Sequence, residues 1–192
     1  MRILAVADVE DDTLVARLVG GGRPRYDAVV SCGDLSRSYL DFVATMANAP
    51  LLYVRGNHDA NVEVGGTDLN GRIVRMCGLS FAGLEGSLRY REGIVGYTQA
   101  EMLRRVLLLE ATSRLRGRVD VLVTHAPPRG FGDLDDLAHR GFDAFNGLLM
   151  RERPRLLLHG HVHLNYGMVE RERCHPSGTR LVNAFGWREI EL

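Results

Sequence analysis

Five short segments of this 192-residue chain place acids, an amide and imidazoles directly after apolar runs. They are Asp8-Val9-Glu10, Gly33-Asp34, Gly56-Asn57-His58-Asp59, Thr124-His125 and Gly160-His161-Val162-His163. These are metal-ligand types: imidazole suits zinc and iron, and carboxylate suits magnesium and manganese. Seven donors stand in the series: Asp8, Glu10, Asp34, Asn57, His125, His161 and His163. That is too many for one tetrahedral ion and suits two adjacent ions sharing a carboxylate.

The elements that must position these donors read as short apolar runs alternating with helical spacing. Strands are predicted over residues 3–7, 28–31, 50–54, 119–123 and 155–158, with a strand pair 73–76 and 79–82 around Gly78. Helices are predicted over 13–19, stopped by Gly20-Gly21-Gly22, and over 39–46, 98–114 and 142–150. Thr98 and Glu101 have the spacing of a capping box, and Met102, Leu103, Val106, Leu107 and Leu109 form the expected apolar face. Residues 162–169, 181–184 and 187–191 are strand-like. With no linker and no repeat, this predicts one α/β domain over residues 1–192, two sheets face to face with helices outside. Sheets of this kind place their chemistry at strand ends.

Composition narrows the classes. Hydrophobic residues make up 45% of the chain, enough to bury a core. The 24 basic residues balance 24 acidic ones, so no field favours nucleic acid or a membrane surface. Every basic residue is arginine, which excludes a lysine nucleophile, a Schiff-base lysine and a phosphate-loop lysine. Cys32, Cys77 and Cys174 form no CxxC pair, so a zinc knuckle and a thioredoxin-type motif are excluded. Free thiols, a first apolar run too short for a signal core and no long apolar span lead to an expected cytoplasmic location.

The ordered series resembles the calcineurin-like metallophosphoesterase superfamily. Its pattern is DxH, GD, GNHD or GNHE, a histidine after a strand, and GHxH. GNHD and GHxH, in order and each after a strand run, carry the resemblance, which spans residues 3–163. It implies a four-layer α-β-β-α sandwich of two mixed β-sheets flanked by helices. It also implies two divalent ions, manganese favoured over iron, zinc or magnesium. One ion would be held by Asp8, residue 10, Asp34 and His163, the other by Asp34, Asn57, His125 and His161, with Asp34 bridging. The implied reaction is hydrolysis of a small phosphomonoester or phosphodiester by a metal-bridging hydroxide. His58 would protonate the leaving oxygen or stabilise its charge, with Asp59 orienting it, and Asn57 and His58 would touch substrate. The GDxxDRG element of protein phosphatases is absent, since Gly33-Asp34 is followed by Leu35-Ser36-Arg37.

One residue departs from the pattern. Glu10 stands where the family carries histidine. As a ligand it would bring two ions, Asp8, Asp34 and hydroxide to zero net charge and harden the first site toward manganese, magnesium or iron. Turned away, it leaves that site half-built, which keeps open a binding scaffold of the same fold, as in the phosphoesterase-like subunit of retromer. His58 argues against a scaffold, which has no use for a leaving-group acid. Arg37, His139 and Arg140 are placed to touch a substrate phosphate or are ordinary surface residues. His159 and His175 read as structural, and Cys32 as packed and inert. Loops 61–71, 85–96 and 126–141 are expected to wall the pocket.

Overall fold

Alternation along the first strand sets the architecture. In β1 (Arg2–Ala7), Ile3, Ala5 and Ala7 enter one buried cluster, while Leu4 and Val6 enter another. A strand buried on both faces must be covered twice. The computed structural model, which describes residues 1–20, 25–59, 65–166 and 169–192, shows how. β2 (Ala28–Ser31), β3 (Leu51–Tyr53) and β4 (Thr67–Asp68) follow β1 in parallel order across one sheet. α1 (Asp12–Val19) and α2 (Arg37–Ala47) cover its outer face, where Leu14, Leu18, Leu40 and Val43 pack on Leu4, Val6 and Val29.

A second sheet repeats the logic. One of its two antiparallel edges is a hairpin of β5 (Ile73–Met76) and β6 (Leu79–Leu84), turned at Cys77 and Gly78, both with positive φ. β7 (Ser87–Leu88) and β8 (Gly96–Tyr97) form a separate short parallel pair. α3 (Gln99–Arg116) precedes β9 (Val121–Thr124), and α4 (Asp143–Glu152) precedes β10 (Leu156–His159). β11 (Glu172–Cys174), β12 (Arg180–Asn183) and β13 (Gly186–Glu191) close the chain. The second sheet runs β11-β12-β10-β9-β6-β5, with β12, β10, β9 and β6 parallel. β13 returns to the first sheet, antiparallel to β1.

Between the sheets, Ile3, Ala5, Val30 and Leu52 meet Phe81, Val121, Val123, Leu156, Leu158 and Val182. On the far face, Leu122 and Leu157 meet Met102, Val106, Phe145 and Leu149 of α3 and α4. The result is the expected order of layers, helices, sheet, sheet, helices. No helix among the described residues is long and apolar enough to cross a membrane.

Two expectations are corrected. On α3, Leu103 and Leu107 are exposed, at 45% and 52%. The buried stripe continues instead through Glu110 and Ser113, because α4 supplies partners: Arg151 donates to Glu110 and Ser113 donates to Glu152. No strand forms over residues 162–166. His161 adopts a left-handed backbone, the Val162 carbonyl accepts from Asn183 Nδ2, and the Tyr166 N–H bonds the His163 carbonyl. Residues 167–168 of that expected strand, Gly21 and Gly22 of the expected helix stop, and residues 61–64 of an expected pocket loop lie outside the described residues.

Candidate metal centre

Each candidate donor sits just beyond the carboxyl end of a parallel strand. Asp8 follows β1, Asp34 follows β2 and Asn57 follows β3; His125 follows β9, and His161 and His163 follow β10. Both sheets therefore end at one edge, and the donors meet across it. Ligand atoms of Asp8, Asp34 and His125 lie within 4.8 Å of one another, a group that could hold a metal ion. A cavity of about 240 Å³ opens above them, lined by Asp8, Asp34, Asn57, His161 and His163, with His58, Tyr90, His139 and Tyr166 at its walls.

The backbone is bent to make this possible. Asp8, Asp34 and His161 all have left-handed φ, at 67°, 58° and 70°. Such residues are held in place only where the surroundings over-determine them, commonly at functional sites. The bends are locked by hydrogen bonds. The His161 N–H donates to the Asp8 carboxylate at 2.9 Å, and the His58 N–H donates to Asp34 Oδ1 at 2.8 Å. Close approach demands glycine at two places. A Cβ on Gly33 would lie 2.1 Å from the Gly56 nitrogen, and one on Gly160 would lie 2.7 Å from Asp8 Oδ2.

His125 carries the clearest chemical signal. It is fully buried, and its Nδ1 lies 2.8 Å from the Cys32 carbonyl oxygen. A carbonyl only accepts, so Nδ1 carries the hydrogen. Nε2 then points at two further acceptors, Asn57 Oδ1 at 2.8 Å and Asp34 Oδ2 at 3.3 Å. A lone pair facing two acceptor oxygens needs a cation between them, either a proton or a metal ion. The protein's own charges say the same. Burial pushes His125 down, but Asp34 and Asp8 outweigh it and raise it to about 9. Burial raises Asp8 to about 6, against the pull of His125. Burial and His125 lower His161 to about 3. A carbonyl contact on the second ring nitrogen is also the usual way a metal-binding histidine is oriented. The donor set fits a divalent cation.

The remaining residues singled out in the sequence are placed as follows. Glu10 is exposed, and its carboxylate accepts from the hydroxyl of Ser36, which lines the neighbouring cavity; Glu10 is not among the residues lining the donor cavity. Asp59 does not contact the His58 ring. Its Oδ2 accepts from the Gly56 and Asp34 N–H groups at 2.7 and 3.0 Å, so it holds the loop rather than the imidazole. Arg37 lines a neighbouring cavity of about 360 Å³ that shares Asp34 and His58 with the first. His139 lies on the wall of the donor cavity, tied through Nδ1 to Asp136. Arg140 donates to the Asp135 carbonyl. His159 is buried against the Gly160 carbonyl and pushed down to about 4 by that burial. His175 sits in its turn against Ser177, and burial pushes the Cys32 thiol up.

Three aromatic and basic residues escaped the sequence. Tyr90 reaches Asn57, Arg91 reaches His58, and Tyr166 stacks on His163 with ring centroids 4.7 Å apart. Tyr90 and Arg91 lie in the 85–96 loop expected to wall the pocket, and Tyr166 lies three residues beyond His163, but no spacing singled out any of the three.

Comparison with known proteins follows the same outline. Residues 1–165 match the model of the calcineurin-like phosphoesterases. A stretch of 79 residues, 40% of the chain, is 37% identical to UPF0046 protein T07D4.2 of Caenorhabditis elegans, and it spans only 18% of that relative's length. Among solved structures, TT1561 of Thermus thermophilus superposes with a TM-score of 0.65 at 17% identity, over 96% of this chain and 89% of that one. A single mutant of Vps29 from Entamoeba histolytica gives 0.51 at 13% identity, over 100% and 86%. The match runs through every segment of the centre from Asp8 to His163, and the chain belongs to the calcineurin-like phosphoesterase family.

Proposed function

We propose that this protein is a metal-dependent phosphoric ester hydrolase acting on a small phosphomonoester or phosphodiester. The observation that carries the reading is His125, whose Nε2 faces Asn57 and Asp34 with Asp8 alongside. Asp8, Asp34 and His125 are the core of the ion site; Asn57 and His163 line the same cavity and would serve a second ion beside Asp34, whereas His161 Nε2 lies 2.8 Å from the Ala138 carbonyl and would have to leave it to join them. Divalent cations, manganese by preference, would supply the positive charge that phosphate oxygens require and would acidify water at neutral pH.

The chain's own residues do the rest. The carboxylate of Asp34, gripped by the His58 N–H, is common to both cavities, and the phosphorus would sit beside it. His58 is exposed at that point, free to meet the leaving oxygen. Asn57 presents its amide into the cavity beside it. His139 and Arg37 flank the two cavities as candidate contacts for the remainder of the substrate.

The test uses purified protein with manganese, p-nitrophenyl phosphate and bis-p-nitrophenyl phosphate. The expected outcome is turnover of at least one ester. His58→Ala should lower kcat by about 100-fold with metal content unchanged, the usual scale for an acid or base group. A second reading is a binding scaffold of the same fold, favoured by the Glu10 carboxylate being engaged with Ser36 and by the resemblance in fold to Vps29. Absence of turnover across manganese, iron, zinc and magnesium selects that reading. Metal analysis of Glu10→Ala settles the remaining donor: unchanged occupancy removes Glu10 from the ligand set.

A further inference from the structure

The imidazole of His58 has one hydrogen-bond contact among the described residues, and it is not an acid. Arg91 Nη2 lies 3.3 Å from His58 Nδ1. Asp59, the nearest carboxylate in sequence, is occupied by two backbone N–H groups. A guanidinium has five donors and no acceptor, so Nδ1 must offer its lone pair. The ring hydrogen is then on Nε2, the nitrogen on the opposite side.

Arg91 is also held where it stands. The 85–97 segment is fastened to the 55–57 segment by the Gly86 N–H to the Arg55 carbonyl at 2.9 Å and the Val95 N–H to the Asn57 carbonyl at 3.1 Å. The parallel pair of β7 and β8 closes its base, and Arg89 ties the loop to the Gly96 carbonyl and to Glu101. At its tip, the Tyr90 hydroxyl receives the Asn57 amide at 3.4 Å, and the Arg91 guanidinium lies over the Tyr90 ring, 5.5 Å from its centroid. The loop thus delivers a planar donor to one edge of His58 and a phenol to the cavity on the other side.

We propose that Arg91 is the positioning residue of His58, engaging Nδ1 as acceptor and so turning Nε2–H to the leaving oxygen. This rests on the phosphoester reading of the site. The hydrogen stays on Nε2, which stabilises the leaving oxyanion by a hydrogen bond, while the adjacent guanidinium adds charge on the same side. Such help matters more as the leaving anion becomes less stable. A bystander arginine would show no such dependence, and an arginine that grips the phosphate would act equally on all esters.

Two measurements test this. The first compares kcat and KM of wild type, Arg91→Met and Arg91→Lys on p-nitrophenyl phosphate and phenyl phosphate. The expected result is a loss in kcat of about tenfold on phenyl phosphate, a smaller loss on p-nitrophenyl phosphate and partial recovery in Arg91→Lys, with KM little changed. An equal loss on both esters, a change confined to KM, or no change overturns the proposal. The second reads the His58 ring by nitrogen-15 NMR without substrate, its signals assigned by their loss in His58→Ala. A ring with its hydrogen on Nε2 and a bare Nδ1 in wild type, turning to a mixture of tautomers in Arg91→Met, supports the proposal; a ring with its hydrogen on Nδ1 overturns it. If wild type hydrolyses no ester, the functional reading fails, and the NMR result still decides the Arg91 contact.

Discussion

At the scale of single residues, the centre depends on atoms that are missing as much as on those present. Gly160 leaves room for Asp8 to sit against the turn after β10, and the His161 N–H holds the carboxylate there. Gly160→Ala would drive a Cβ into Ala7 Cβ and Asp8 Oδ2, each at 2.7 Å. The expected cost is about 1–3 kcal/mol of stability, together with a lower metal content. Urea denaturation and metal analysis of the purified variant check both, and full metal content would show that Asp8 keeps its position. The ligand types were legible because each is a local fact: an acid, amide or imidazole after an apolar run. The direction of Glu10 was not legible. It is decided by the hydroxyl of Ser36, 26 positions away, at a helix N-terminus where a carboxylate is favoured.

At the scale of elements, a buried ion cluster behind the 56–59 loop fixes its position. Glu85 is 3% exposed and accepts from Arg55 Nε at 2.7 Å and the Tyr97 hydroxyl at 2.6 Å. Arg105 lies over the Tyr97 ring at 4.5 Å and bonds Asn70, linking α3 to the same cluster. Burial would raise the Glu85 carboxyl, but Arg55 and Tyr97 win and hold it below the ordinary glutamate range. Glu85→Ala would remove the buried carboxylate that Arg55 and Arg105 face, and breaking a buried pair in this way costs about 3–5 kcal/mol. The midpoint of urea denaturation should fall accordingly, and a loss within the range of surface substitutions would disprove the anchoring role. Helix positions were readable from capping and spacing, as Thr98 and Glu101 show by forming their capping box. The buried face of α3 was not, because Glu110 and Ser113 become buried only through partners on α4.

At the scale of the whole molecule, the centre joins the two sheets. Asp8 and Asp34 come from the first and His125 from the second. An ion bound there would hold the sheets together, so manganese should raise the thermal midpoint of chelator-treated protein. At 100 times the dissociation constant the gain is about 2.7 kcal/mol. An unchanged midpoint in His125→Ala on adding manganese, against a rise in wild type, is the matching control. A second bond between distant parts contributes to acid stability. Glu189 on β13 accepts from Tyr26, from Arg2 on β1 and from Arg17 on α1. Burial would raise its carboxyl, but these three donors lower it from 4.5 to about 2. A depressed pKa adds stability above the unfolded value, and that stability is lost as pH falls from about 4.5 toward 2. Unfolding free energies measured across that window should fall less steeply in Glu189→Gln than in wild type.

The chain's sequence by itself determined the layers and the types of the candidate donors. The unbroken apolar run of β1 and the order of the five strand-end segments are local patterns, and each needs only near neighbours to be read. Only the tertiary structure decided the partners. The charge state of His125 follows from Cys32, Asn57, Asp34 and Asp8, which are scattered along the chain and meet only where two sheets end at one edge. The setting of His58 by Arg91, the grip of Asp59 on its own loop and the place of Glu10 arise in the same way. Each includes a contact of a side chain with a group far along the chain, and no spacing along a strand or helix encodes it.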